Sequence, residues 1–125
     1  MNKMISQESI NYTYDPIADA LFIKVENYEH ETSIQINDNV IMDLNKEKQF
    51  IALEILSASH ELNTDISSLE EIMNIVLYVK VTDYQIFVNG IFTLAVHDHE
   101  EIKVANASIL NDINLPNMDT SLATV

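Results

Sequence analysis

The chain has no cysteine, no tryptophan and no arginine, and only one glycine and two prolines in 125 residues. Without Cys there is no disulfide, no thiolate zinc site and no cysteine nucleophile. One Gly leaves no glycine-rich phosphate loop and no Gly-x-Ser-x-Gly nucleophile turn. Without Arg there is no bidentate fork for phosphate, carboxylate or guanine. Long apolar runs are missing too. Residues 75–79 form one such run, far short of the roughly 20 residues that span a bilayer. Positions 1–12 hold Lys3 among Ser, Gln, Glu and Asn, with no apolar signal-peptide region. These absences predict a soluble, cytoplasmic protein with no membrane partner.

What the chain has is negative charge. Twenty Asp and Glu face six Lys, at positions 3, 24, 46, 48, 80 and 103, for a formal net charge of -14. Phosphate binding gains its free energy when Lys and Arg displace counterions. Six dispersed Lys do not supply this, so direct binding of nucleic acid is not expected. A basic protein partner or a cation suits the charge better. At 47% hydrophobic the chain lies outside the disordered range, and its length makes one domain the default.

With Gly and Pro scarce, Asn and Asp mark the turns. Leu21, Ile23 and Val25 alternate with Phe22, Lys24 and Glu26, the period of a strand. Ile34 and Ile36 lead into the turn Asn37-Asp38-Asn39, then Val40, Met42 and Leu44 share one face. Residues 50–56 are apolar except Glu54, as in a central strand covered on both sides. The first half therefore reads as an antiparallel meander, followed by a short helical stretch at residues 57–62. Ser67 and Glu70 have capping-box spacing, and Leu69, Ile72, Met73 and Val76 follow as a helical stripe, so the principal helix is predicted at residues 67–76. Further strands follow, with a hairpin turn at Asn89-Gly90. The fold class predicted is α+β: a twisted antiparallel sheet of roughly six to eight strands with one principal helix. Residues 1–110 form the domain, and residues 111–125, with no periodic apolar face, a loosely ordered tail.

Residues 21–28 (LFIKVENY) are similar to residues 77–84 (LYVKVTDY). This similarity raises duplicated halves, 12–62 and 63–110. Any two amphipathic strands ending in Tyr would also look alike by composition.

The most distinctive segment is Tyr14-Asp15-Pro16-Ile17-Ala18-Asp19-Ala20-Leu21-Phe22-Ile23, closed by Glu54-Ile55-Leu56-Ser57-Ala58-Ser59. It resembles the signature Tyr-Asp-x-x-Ala-Asp-Ala-Leu-Tyr-Ile and Glu-Ile-Leu-x-Ala-Ser of small bacterial and archaeal proteins grouped as domain-of-unknown-function family 2283. The resemblance covers about residues 10–62. The family hairpins usually carry Gly, which this chain replaces with Asp38-Asn39 and residues 45–49. The resemblance implies a small β-meander with a helix after it. The family has no established activity, so no catalytic residue carries over. Some members sit beside genes for toxin-like nucleases, which implies an antitoxin-like, partner-binding role.

Three groups could carry chemistry. Asp15, Asp19 and Glu54 would suit Mg²⁺ or Ca²⁺ if they converged. Against that, Asp15 before Pro16 is a good helix N-cap with a first-turn proline, a purely structural role. His97, His99 and Glu100, within the run from His97 to Glu101, could take Zn²⁺ or Ni²⁺ with help from His30 or His60; an exposed polar turn is the plainer reading. Ser57, Ser59 and His60 are close in sequence, but triads are defined by geometry. No catalytic residue and no cofactor is assigned. The function expected is a small acidic, non-enzymatic protein-binding module. The alternatives are a structural homo-oligomer without a dedicated ligand, associating by sheet or helix contacts, and a metal-dependent enzyme built on the His97–Glu101 turn.

Overall fold

The structure, a computed structural model, describes residues 9–124; most of the signal-peptide reading falls on residues 1–8, outside that range. The elements are β1 Ile10–Asp15, β2 Ala20–Val25, β3 Thr32–Asn37, β4 Val40–Leu44, β5 Phe50–Ile55, α1 Ala58–Glu61, α2 Ile66–Leu69, β6 Ile72–Val81, β7 Gln85–Val96, β8 His99–Leu110 and β9 Met118–Ala123. They make two sheets, a five-stranded one in the order β1-β2-β5-β4-β3 and a four-stranded one in the order β8-β7-β6-β9. Every paired strand is antiparallel.

β5 explains the first order. Phe50, Ile51, Ala52, Leu53 and Ile55 are all buried, so this strand needs neighbours on both sides. It therefore inserts between β2 and β4, and the first half is not the simple meander expected. Alternation then sorts the side chains. Leu21, Ile23, Met42, Leu53 and Ile55 of the first sheet face inward, as do Ile75, Leu77, Ile86, Phe92 and Leu94 of the second, forming one core. At one margin Ser9 bridges Ala123. Nearby, the Tyr12 hydroxyl accepts a hydrogen bond from the Ile72 amide at 2.8 Å and donates to the Ile72 carbonyl at 3.3 Å. The similar stretches at residues 21–28 and 77–84 fall on β2 and β6, each one strand in from an edge of its sheet, while the strand orders around them differ.

Three expectations are corrected. First, the fold is not α+β with a principal helix at residues 67–76. Among the described residues only two one-turn helices form, and β6 starts at Ile72. Asp65, not Ser67, takes the N-cap position of α2, with no side-chain cap bond. Ile75, Leu77, Val79 and Val81 are buried at every second position. That β-branched period-two run sets the backbone, because it fits a pleated sheet and suits a helix poorly.

Second, Asn89-Gly90 is not a turn. β7 runs straight through it, and Gly90 has no positive φ. Glycine is needed there for space: a Cβ on Gly90 would lie 2.7 Å from Cε1 of Phe92 and 3.2 Å from Cδ2 of Leu77. The tight turn lies at His97 (φ 47°) and Asp98 (φ 69°), the double positive φ of a type I′ hairpin. It joins β7 to β8.

Third, residues 111–124 are not loose. Asn111 is buried, donates through Nδ2 to the carbonyls of Thr82 (2.9 Å) and Leu115 (3.0 Å), and accepts from the Leu115 amide at 2.9 Å. This clasp turns the chain so that β9 pairs with β6 and buries Leu122.

Candidate functional site

The family-like motif builds a locked turn. Asp15 Oδ1 accepts from the amides of Ile17 (2.9 Å) and Ala18 (3.2 Å), the N-cap-like bonds that Asp-Pro invites. The turn ends on Asp19, held left-handed at φ 54°. Its carboxylate accepts from the Tyr14 hydroxyl (2.6 Å), the Ser59 amide (3.0 Å) and the Ser59 hydroxyl (2.7 Å). Its carbonyl accepts from the Ala58 amide at 2.9 Å. Burial works against the Asp19 carboxylate, but the bonds from Tyr14 and Ser59 outweigh it and hold its pKa below the usual carboxylate value. Burial first, then the bond to Asp19, pushes the Tyr14 phenol up. Asp19 thus ties the β1–β2 turn to the start of α1, 40 residues away. Ser59 spends its hydroxyl proton on Asp19, and His60 is exposed.

Glu54 stands elsewhere, on the outer face of β5, opposite Phe22 of β2 and Ile41 of β4. Asp15, Asp19 and Glu54 are not brought together. At the other candidate, His99 Nε2 lies 2.9 Å from Glu101 Oε2, and Lys103 Nζ 3.3 Å from Glu101 Oε1. His97 is in the turn, and strand alternation puts Glu100 on the face opposite His99 and Glu101. Among the described residues no group of three or more His, Asp or Glu is placed to hold a metal ion.

A third constellation forms on the outer face of the first sheet. The β3–β4 turn sets Ser33 opposite Asp43. The segment between β2 and β3 brings Tyr28 and His30 over them. Ser33 donates to Asp43 Oδ1 at 2.7 Å and Tyr28 to Asp43 Oδ2 at 2.8 Å. His30 Nε2 lies 2.9 Å from the Ser33 hydroxyl oxygen. Since Ser33 gives its proton to Asp43, the imidazole N–H must donate to Ser33. Tyr28 stacks on His30, with centroids 6.3 Å apart, and meets Phe22 edge to face at 5.7 Å. Together with Gln35, Ile41 and Glu54 these residues line an open cleft of about 680 Å³.

The order of these bonds decides what the cleft can do. A catalytic triad needs His to take the serine proton. Here the donors run from His30 to Ser33 to Asp43, and Asp43, only 8% exposed, also receives Tyr28. The serine is not activated. Its hydroxyl instead helps to hold a buried carboxylate in place. Glu54 is different: among the described residues it makes no hydrogen bond and no ion pair, though it lies between two apolar neighbours. The cleft therefore presents aromatic faces, an unpaired carboxylate and little donor capacity beyond Gln35, which suits a cationic group.

Sequence reasoning missed Tyr28, Ser33 and Asp43, and named His30 only as a helper to the His97–Glu101 turn. The signal was available: a turn at residues 37–39 puts residue 33 across from residue 43, with both side chains on the outer face.

Burial, the bond to Asp43 and the charges of Asp43 and Glu54 push the Tyr28 phenol from 10 up to about 12. A raised folded pKa stabilises fully below the unfolded value and is lost as pH climbs through the folded one. The denaturant midpoint of the wild type is therefore expected to drop between pH 10 and about 12 more steeply than that of Tyr28→Phe. Parallel curves for the two proteins would contradict this.

No helix among the described residues is long and apolar enough to cross a membrane. Residues 11–59 match the family model described as "Protein of unknown function (DUF2283)". The chain is also 30% identical, over 112 residues, to a protein of Methanosarcina mazei provisionally named a hypoxanthine phosphoribosyltransferase. That alignment covers 88% of this chain and 90% of the relative. No solved structure matches significantly. The family model ends on Ser59, the residue whose amide and hydroxyl close the Asp19 lock, and the relative aligns across both sheets; the chain belongs to the DUF2283 family of proteins of unknown function.

Proposed function

We propose that the protein is a small acidic, non-enzymatic protein-binding module, antitoxin-like in that its surface covers a basic partner. The cleft of Phe22, Tyr28 and Glu54 would receive a cationic side chain of that partner. The observation that carries this reading is Glu54, a half-buried carboxylate on the central strand with no hydrogen-bond donor among the described residues. An ammonium or guanidinium group brings the donors the cleft lacks, and cations are attracted to aromatic faces. The net charge of -14 would steer such a partner inward.

Phosphoribosyl transfer, the chemistry in the name of the Methanosarcina mazei relative, is less well supported. Pyrophosphate is usually cradled by backbone N–H groups at a glycine-rich loop or helix start, or by cations. The chain has one Gly, buried in a strand, and no Arg, and both helices are a single turn.

Native purification with mass spectrometry tests the proposal. A basic protein should co-purify with the wild type. Glu54→Gln should bind it about fivefold more weakly, as expected for a half-exposed charge pair worth about 1 kcal/mol. Recovery of no basic protein, or equal binding by the variant, would refute it.

A further inference from the structure

Among the described residues β8 has a side with which no strand pairs. It pairs with β7 in unbroken register, from Val96 opposite His99 to Gln85 opposite Leu110, and ends the sheet. None of its residues is buried; Ile102 is 66% exposed and Val104 50%. Proteins usually protect such an edge with a bulge, a proline or a covering segment. β8 has neither bulge nor proline. β3 comes close to it, and Asn37 and Val40 share clefts with residues 105–108. Toward the hairpin, His99, Glu100, Ile102 and Val104 are exposed, with Glu101 and Lys103 partly so.

We propose that this stretch pairs antiparallel with the same stretch of a second copy, about a two-fold axis at Ile102. The two Ile102 side chains then meet at the axis. Glu101 of each copy stands opposite Lys103 of the other, and Glu100 stands opposite Val104. Charge favours this occupant and this register. Most faces of a chain at -14 repel a second copy, and a parallel in-register pairing would stack Glu101 on Glu101. The antiparallel one sets acid against base twice, around an apolar centre. Ile102 and Val104 also extend an outer apolar row: Ile102 lies opposite Thr93, Val104 opposite Ile91, and Ile91 opposite Val76. The product is a continuous sheet across two copies joined by an isologous contact. It uses the second sheet and stands whether or not the cleft on the first sheet takes a cation.

Because the chain has no cysteine, Ile102→Cys reports the geometry directly. Under mild oxidation it should give a disulfide-linked dimer, while Ile113→Cys, exposed but outside the strand, should give only collisional background. In sedimentation the wild type should run as a dimer and both Ile102→Glu and Lys103→Glu as folded monomers. Adding Glu101→Lys to Lys103→Glu should restore the dimer. A strictly monomeric wild type, equal cross-linking at positions 102 and 113, or a dimer that survives both single substitutions would overturn the proposal.

Discussion

Asp19→Ala is expected to lower the unfolding free energy by about 3 kcal/mol, an amount usually reserved for a large cavity in the core. Two effects add. The charged acceptor of the Tyr14 hydroxyl, the Ser59 amide and the Ser59 hydroxyl is lost. A β-methyl residue must also hold φ near 54°, where Asp and Asn are tolerated and Ala is strained. Asp19→Asn separates the two, since it keeps the backbone preference and replaces the charged carboxylate with a neutral amide that has one acceptor oxygen. The carboxylate pKa is depressed in the folded protein. Its stabilisation is therefore present above the unfolded value of about 3.9 and disappears as pH falls through the folded value. On acidification the wild type should lose its advantage over Asp19→Asn, and the two should converge in strong acid. Chemical unfolding of the three proteins at neutral and acid pH checks this. A loss below about 1 kcal/mol for Asp19→Ala would show the lock to be incidental.

The second large effect carries an unexpected sign. Gly inside a strand normally costs stability, so Gly90→Ala would be stabilising on propensity alone. Here the new methyl would sit 2.7 Å from Cε1 and 3.0 Å from Cζ of Phe92. That ring is fully buried and has nowhere to swing. A loss of about 2 kcal/mol is expected for Ala and more for Val. Phe92→Leu, destabilising alone, should recover part of the loss in the Gly90→Ala background, because both changes act on the same space. Strictly additive effects, or a more stable Gly90→Ala, would show that the ring does not set the constraint.

Both residues show what could be read from the sequence and what could not. The strands at β2, β4 and β5 were legible because their apolar residues alternate or run continuously, and the resemblance over the first half rested on residues that prove to close a turn. The role of Asp19 was half visible: its place after Asp-Pro suggested a turn, but Ser59 lies 40 residues on, and nothing local says that they touch. Gly90 was misread because Asn-Gly has a strong local preference, while the ring that claims the space belongs to a tertiary packing problem. The helix expected at residues 67–76 failed for a related reason. A stripe at Leu69, Ile72, Met73 and Val76 fits helical spacing, yet the same segment continues as Ile75, Leu77, Val79 and Val81, and the longer pattern prevails. The cleft of Tyr28, His30, Ser33 and Asp43 depended on cross-strand register, which shows only when the pairing is counted out from the turn at residues 37–39.

The division of the core between two sheets bears on the family's self-sufficiency. The matched stretch, residues 11–59, builds the first sheet almost alone. One face of that sheet carries Leu21, Ile23, Met42, Leu53 and Ile55, and here it is roofed by strands from the second half of the same chain. A protein made of the matched stretch by itself would leave that face open to water, an apolar expanse that soluble monomers do not tolerate. It would need a roof from another molecule, a duplicate of itself or a foreign chain. In this protein the covering sheet is encoded in cis, so the first sheet's inner face is closed, and only its outer face and the margins are left for meeting anything else.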